Sequence, residues 1–439
     1  MRNKMLNSRV VKESFSLIYG SNERVIREQV DRYQKLLKKF KHYFAGIDDS
    51  DIQLFSTPGR TEISGNHTDH NHGRVIAAAV NLDAIAAVVK IPADKIIVYS
   101  IGYEQRFAVD LNELNPLKEE QGTTNALIRG IAARFRELGH QTGGFFACIF
   151  SDVLPGSGLS SSAVIEVLIA DILNTLYNGK KIAEELLAII GQYAENNYFN
   201  KPCGLMDQLT CAKGGIVTID FENPQQPQVK KVNFDFNRED FSILVVNTGG
   251  SHADLTDDYA AIPREMKSVA EALGKKVCRE IDYNEVMRNP GKLRASVGDR
   301  AILRALHFIA ENRRVELQVD ALENNNFELF LNYVRESGNS SLRWLQNCYT
   351  ARNTADQGIT LALALSEKYI KETGRGACRV HGGGFAGTIQ VFLPNQALSD
   401  YIRMIEPVFG KGCVSVLTIR PEGTRHLNPG QSFFPQKGL

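Results

Sequence analysis

Apolar residues recur at helical spacing across residues 22–44 (NERVIREQVDRYQKLLKKFKHYF), where Val25, Val30, Tyr33, Leu37 and Phe40 mark one side of a strongly charged helix. From Val75 to Val89 the pattern changes to a run of Ala, Val, Ile and Leu, interrupted by Asn81 and Asp83. Its β-branched content predicts two buried strands joined by a turn. Phe145–Phe150 (FFACIF) reads as a short buried strand, Asp152–Gly158 as a turn-rich loop and Ala163–Tyr177 as a helix, so strand, glycine loop and helix follow in order. Lys180–Tyr198 predicts a further helix, broken by Lys201-Pro202. Strand patterns return at Gly215–Phe221, Phe241–Asn247, Thr388–Leu393 and Val414–Ile419, and a long helical pattern covers Arg300–Leu331. Asn223–Lys231, with two prolines and three glutamines, is the best linker candidate.

These elements predict an α+β chain of two domains, 1–230 and 231–439, with the tail after Ile419 a candidate to return to the first. A length of 439 residues exceeds what one core usually serves. Composition adds little to this and excludes more: 43% hydrophobic and 23% charged residues are ordinary for a globular chain. Lys+Arg (51) and Asp+Glu (50) nearly cancel, which argues against a nucleic-acid or membrane-surface partner. The start, MRNKMLNSRVVKESF, lacks the apolar centre of a secretory signal, and no apolar run of about 18 residues suggests a membrane span. Seven scattered cysteines with no CxxC pair read as reduced thiols in the cytoplasm, not as a zinc site or disulfide framework. No obligatory protein partner is implied.

Three segments carry chemistry. Gly156-Ser-Gly-Leu-Ser-Ser-Ser-Ala163 puts two glycines and three successive hydroxyls ahead of a helix, whose first N–H groups and dipole favour an anion such as a triphosphate. It is no Walker A loop, for the chain holds no GxxxxGK[ST]. Gly382-Gly-Gly-Phe-Ala-Gly387 demands positive φ or close backbone contact, which an ordinary turn would also explain. Pro58–Asn71 (PGRTEISGNHTDHN) opens a stretch that crowds Arg60, Glu62, His67, Asp69, His70 and His72 into 13 positions among glycines, and reads as a loop. The HxxHxH spacing is poor for a metal face, whereas carboxylate, imidazole and guanidinium together suit the hydroxyls of a polyol. Asp207, just after a Pro/Gly break, is by itself no more than a cap or a solvated acid.

These loops, in this order, resemble those of the GHMP small-molecule kinases, and within them the galactokinase family. The family's GRVNLIGEHTDYNxG stands here as Gly59-Arg-Thr-Glu-Ile-Ser-Gly-Asn-His-Thr-Asp-His-Asn-His-Gly73, and its GLSSSA is unchanged. Pro202–Gln208 resembles its PCGIMDQ, and Gly382–Gly387 its GGGFGG with one alanine.

The resemblance implies a two-domain GHMP-kinase architecture with its site in the cleft between domains, and ATP-dependent phosphorylation of galactose at the anomeric hydroxyl. It assigns Asp207 as catalytic base or orienting acceptor and Arg60 as the cation beside it. Gly156, Ser157, Gly158, Leu159, Ser160, Ser161, Ser162 and Ala163 would cradle the phosphates of ATP, and Ser162 with Glu195 would hold Mg²⁺. Asn66, His67, Asp69, Gly204 and Tyr259 would face the sugar, the other small-molecule partner. The departures concern the sugar and the base. Asn66 replaces a family glutamate that contacts the 6-hydroxyl, giving up a charge-assisted bond worth about 1–2 kcal/mol and a repulsion that excludes uronic acids. Glu62 replaces an asparagine, His70 a tyrosine, and Thr123–Gly130 lacks the aromatic pair that often flanks adenine. A galacturonate kinase is therefore an alternative. The intact His67-Thr-Asp69 run disfavours N-acetylgalactosamine, and the intact serine loop with Asp207 disfavours a sensor that binds without turnover.

Overall fold

A computed structural model of the chain describes residues 9–153, 158–250 and 255–427. Its strands are numbered in chain order: β1 (Gln53–Ser64), β2 (Arg74–Lys90), β3 (Lys95–Ser100), β4 (Phe107–Asp110), β5 (Phe145–Ser151), β6 (Ile216–Asp220), β7 (Gln228–Val232), β8 (Phe241–Asn247), β9 (Ala377–His381), β10 (Thr388–Pro394), β11 (Val414–Leu417) and β12 (Arg425–Leu427). Two sheets result. One runs β12-β1-β2-β5-β3-β4, with β6 on the open stretch of β2 and β7 beyond it; the other runs β11-β8-β10-β9. All pairings are antiparallel except β3 with β5.

β2 corrects the expectation of two strands and a turn. It is one strand of 17 residues, paired to β1 along most of its length, to β6 through Arg74–Ala78 and to β5 through Ala84–Lys90. Its apolar run is continuous because both faces are covered. Ala84, Ala86 and Val88 join the core beneath the helices Thr124–Glu137 and Ser161–Asn178. Ile85, Ala87 and Val89 face the opposite layer, made by the helices Arg9–Tyr19 and Glu23–Tyr43. The two polar residues that suggested a turn lie in the strand and find partners outside it. The Asn81 N–H donates to the Thr418 carbonyl (3.0 Å), and its side-chain oxygen accepts from the Thr418 N–H (2.9 Å).

Asp83 is the other, and it is fully buried between two arginines from opposite ends of the chain. Arg32, on the inner face of the second helix, pairs with one carboxylate oxygen. Arg420, near the C-terminus, reaches the other at 2.9 Å, and the Tyr19 hydroxyl donates to it at 2.6 Å. The Ser56 hydroxyl donates there as well. Burial alone would raise the Asp83 carboxyl, but Arg32 and Arg420 hold it below its ordinary value.

Three smaller corrections follow the same logic of local partners. The helix expected over Lys180–Tyr198 occupies Glu184–Ala194 and then widens into a π-turn, Glu195–Phe199. Arg300–Leu331 divides into the helices Asp299–Glu323 and Phe327–Ser340, with Asn325 in a left-handed turn (φ 54°) and Asn326 capping the Leu329 N–H. The linker candidate Asn223–Lys231 contains most of β7, whose Val229 and Val232 turn inward while Lys230 and Lys231 stay exposed. In the tail after Ile419, Arg425–Leu427 forms β12 beside β1.

Asp83→Ala leaves two buried guanidinium groups without their carboxylate, and is expected to lower the unfolding free energy by about 3–5 kcal/mol. Arg24→Ala, which removes only the exposed pair with Glu28, should change it by less than about 1 kcal/mol. Urea unfolding of the two variants beside the wild type tests the contrast.

Candidate active site

The segment read as a loop begins as strand β1, and Arg60 and Glu62 lie within it. Register shifts against β2 between Pro58 and Arg60, and between Glu62 and Ser64, re-aim these side chains. The turn comes only at Gly65 (φ 92°), where a Cβ would sit 2.4 Å from the Arg74 carbonyl oxygen.

Arg60 gathers the catalytic candidates. Its Nε and Nη2 donate to the two carboxylate oxygens of Asp207, each at 2.6 Å, and Nη1 donates to the Gly158 carbonyl at 2.7 Å. Nη2 also reaches the Ser160 hydroxyl (2.7 Å), which in turn donates to Asp207. Asp207 stands in the first turn of the helix Met206–Lys213. Burial would raise its carboxyl, but the Arg60 charge and hydrogen bonds, with Ser160, bring it below the ordinary carboxylate range.

Ser160 adopts a left-handed conformation (φ 58°), uncommon for a residue with a Cβ. Its side chain is engaged with Arg60 and Asp207 and does not cap the helix Ser161–Asn178. The first N–H groups of that helix are left to face an anion. They open on a cavity of about 280 Å³ lined by Arg60, Gly158, Ser160–Ser162, Lys201, His381 and the turn Gly382–Thr388. Both sheets therefore contribute to it. Leu159 and Ala163 are buried behind the loop; Gly156 and Ser157 lie outside the described residues.

Glu195 begins the π-turn, and its Oε1 accepts from the Ser162 hydroxyl (2.9 Å) and the Lys201 ammonium (2.8 Å). Gln208 donates from one nitrogen to Glu195 (3.1 Å) and to Glu166 (2.9 Å), whose carboxyl burial pushes well up. A serine hydroxyl and a carboxylate oxygen are hard donors, and Mg²⁺ completes such a pair with water and phosphate oxygens. The residues present fit that ion. Among the described residues no group of three or more His, Cys, Asp or Glu forms a metal site of its own, the histidines of the 67–72 stretch included.

Around the glycine turn stand the sugar candidates. His67 donates from Nε2 to the Gly383 carbonyl (2.9 Å), and the Tyr259 hydroxyl donates to the Gly384 carbonyl (2.8 Å). The Tyr259 ring also covers Gly383, where a Cβ would come within 2.5 Å of it. Gly204 lies against Asp69, and a Cβ there would sit 2.6 Å from Oδ2. Asn66 is placed differently from its neighbours. It is 1% exposed, and donates to the Gly382 carbonyl (2.6 Å) and to Glu62 (3.1 Å) while accepting from Asn347 (2.7 Å). Its amide props the turn from beneath, because Glu62, paired with the buried Arg379 (3.1 Å), takes up its donor.

Sequence reasoning missed two parts of the site. A second, mostly apolar cavity of about 420 Å³ adjoins the first through Ser161 and Ser162, and Tyr103, Phe107 and Phe199 line it with Leu127 and Ile165. Its aromatic residues come from outside Thr123–Gly130, so only spatial proximity reveals them. The other is His381, just ahead of the glycine turn. It is buried, bonded to Thr61 (3.0 Å) and Thr388 (2.9 Å), and so ties β1 to β9 and β10 at the cavity floor.

Comparison with known proteins identifies this arrangement. Residues 126–215 match the family described as GHMP kinases N terminal domain, and residues 38–90 the galactokinase galactose-binding signature. The chain thus carries a GHMP kinase N-terminal domain over residues 126–215, and it is a kinase. As such it is a phosphotransferase acting on an alcohol group, and ATP is its phosphoryl donor. This kinase is 29% identical over 385 residues to a galactokinase of Actinobacillus pleuropneumoniae serotype 5b, covering 86% of the chain and 94% of the relative. It is 29% identical over 362 residues to a galactokinase of Streptomyces coelicolor, covering 81% and 88%. The fold superposes on that of Lactococcus lactis galactokinase, crystallised with galactose, with a TM-score of 0.75 at 21% identity, covering 90% of this chain and 99% of that one. The Methanococcus jannaschii mevalonate kinase gives 0.60 at 16% identity, covering 85% and 99%. No helix among the described residues is long and apolar enough to cross a membrane.

The cavity floor also sets a pH dependence. Burial, then the charges of Arg60 and Arg379, lower the His381 imidazole from 6.5 to about 3. In the unfolded chain it takes a proton as pH falls through 6.5, while the folded form does not until about 3, so folding loses free energy across that window. Relative to His381→Gln, the wild type should lose stability progressively as pH drops from 6.5; urea midpoints at pH 7, 6, 5 and 4 measure the difference.

Proposed function

We propose that the kinase transfers the γ-phosphoryl group of ATP to the anomeric hydroxyl of galactose, giving galactose 1-phosphate and ADP. The observation that carries this reading is the two-bond fork from Arg60 to Asp207 beside the free N-terminus of the helix Ser161–Asn178. It sets a hydroxyl acceptor and a phosphate cradle at one cavity, which is what an in-line transfer needs.

In this mechanism the hydroxyl of the sugar donates to the Asp207 carboxylate, which orients an oxygen lone pair toward the phosphorus. Asp207 is held ionised by Arg60, so it is a weak base. That is sufficient, because in a loose phosphoryl-transfer transition state the hydroxyl proton leaves late. Arg60 counters the charge gathered on Asp207 and the transferring group, while the Gly158–Ala163 backbone and the helix dipole hold the triphosphate. Ser162 and Glu195 would hold Mg²⁺, which when bound neutralises phosphate charge and fixes the leaving oxygen. The apolar cavity takes the adenine, with Tyr103, Phe107 and Phe199 as its aromatic walls. His67, Asp69, Gly204 and Tyr259 border the sugar, and Asn66 acts on it through the Gly382 turn. The cleft lies between the proposed lobes 1–230 and 231–439. A cytoplasmic setting suits the seven free cysteines.

Galactose, in preference to a uronic acid, follows the match of residues 38–90 to the galactose-binding signature. The acid beside Asn66, Glu62, is buried and paired with Arg379, so it sets no charge against a substrate carboxylate.

A coupled ADP assay over a panel of free sugars should show galactose turned over faster than galacturonate or N-acetylgalactosamine. Faster turnover of galacturonate would reassign the substrate, and sugar binding with no ADP from any hexose would leave only a sensor. Asp207→Asn should reduce turnover by about 10²–10⁴-fold while galactose still binds in calorimetry; retained activity would remove Asp207 from the reaction.

A further inference from the structure

Lys201 has no part in the mechanism above, yet its backbone is fixed and its side chain opens on the phosphate cavity. Asn200 before it is left-handed (φ 66°), and the Lys201 N–H closes the π-turn onto the Glu195 carbonyl (3.1 Å). Pro202 after it disfavours the helical conformation at Lys201. The chain therefore roots this residue at the rim, one side-chain length from Glu195. The side chain remains 58% exposed and lines the same cavity as Arg60 and Ser160–Ser162.

Its contact is with an oxygen that has another use. Glu195 Oε1 already accepts from Ser162 (2.9 Å) and Lys201 (2.8 Å), and Oε2 from Gln208 (3.1 Å). Two donors fill the lone pairs of Oε1. A divalent cation can reach this oxygen only if one of them leaves. Ser162 is anchored in the first turn of its helix, whereas Lys201 sits on a flexible, solvent-facing stem. An ammonium beside a divalent cation on one carboxylate is also repelled by it. The anions nearest to hand for the released ammonium are the phosphate oxygens in the cavity it lines.

We propose that Lys201 holds the cation's place on Glu195 in the nucleotide-free kinase and moves to the phosphates when the metal–nucleotide complex enters. The proposal rests on the reading of the cavity as a triphosphate site. It makes Lys201 a phosphate-binding residue whose two partners, carboxylate and phosphate, exclude each other in time.

Two binding measurements on Lys201→Met test it without turnover. Mn²⁺ titrated into nucleotide-free protein, followed by electron paramagnetic resonance, should bind the variant about tenfold or more tightly than the wild type, since no ammonium competes. MgATP, measured by calorimetry, should bind the variant about tenfold or more weakly, with adenosine affinity unchanged and MgATP affinity largely restored in Lys201→Arg. Equal affinities in wild type and Lys201→Met, or a change in only one of Mn²⁺ and MgATP, would overturn the proposal and leave a rim ion pair. Failure of the wild type itself to bind MgATP would instead overturn the triphosphate reading.

Discussion

The guanidinium of Arg60 is the constraint around which the cavity is arranged. One planar group bonds the helix start at Asp207, the loop carbonyl of Gly158 and the hydroxyl of Ser160. β1, the phosphate loop and the helix at Asp207, far apart in sequence, are thereby held together by one planar group, which a lysine, with a single point of charge, could not do. The pair is partly buried, and the cost of drawing both charges out of water is offset by the bonds they make. Neighbouring oddities follow from this demand. β1 is bulged on both sides of Arg60, and Ser160 accepts a left-handed backbone so that its hydroxyl meets Asp207. The unusual geometry thus lies where the chemistry needs it.

The same device appears away from the cavity with the signs reversed. At Asp83 one carboxylate receives two arginines, and the elements it joins are a helix before the first sheet, the central strand and the C-terminal return. The effect reaches the phosphate loop. Arg32 also pairs with Asp152 at 3.0 Å, and the Asp152 N–H donates to the Asp83 carbonyl (3.0 Å), just before the loop begins. The N-terminal helices are therefore part of the scaffold that fixes the loop's first anchor.

How much of this could be read from the chain depends on distance along it. The helix over 22–44, the strand at Phe145, the phosphate loop and the helix behind it were legible, since each is set by neighbours in sequence. β2 was not. A run covered on both faces has no polar alternation, and Asp83 resembles a turn residue until its partners, 51 and 337 positions away, are known. At the site, Arg60, Asp207, Ser162 and Glu195 could be named from motif resemblance, and they do come together. The inward turn of Asn66 and the aromatic walls of the apolar cavity could not, because both depend on which strands become neighbours. His381 gave no signal at all: its partners Thr61 and Thr388 are unremarkable in sequence and matter only through the approach of the two sheets.

β12 has a consequence for how the kinase is made. It pairs Arg425–Leu427 with Leu54–Ser56, on the strand that carries Arg60 a few positions later. Arg420 reaches Asp83 from the same stretch of chain. On the ribosome, the first half of the chain thus emerges with an open sheet edge and a buried acid lacking one of its two cations. Neither is completed until residues 420–427 have been synthesised and released. Contacts this far apart in sequence are slow to form, and the exposed edge is available to other strands in the meantime. For this kinase the first sheet closes only after about 370 further residues have followed the strand that waits for it.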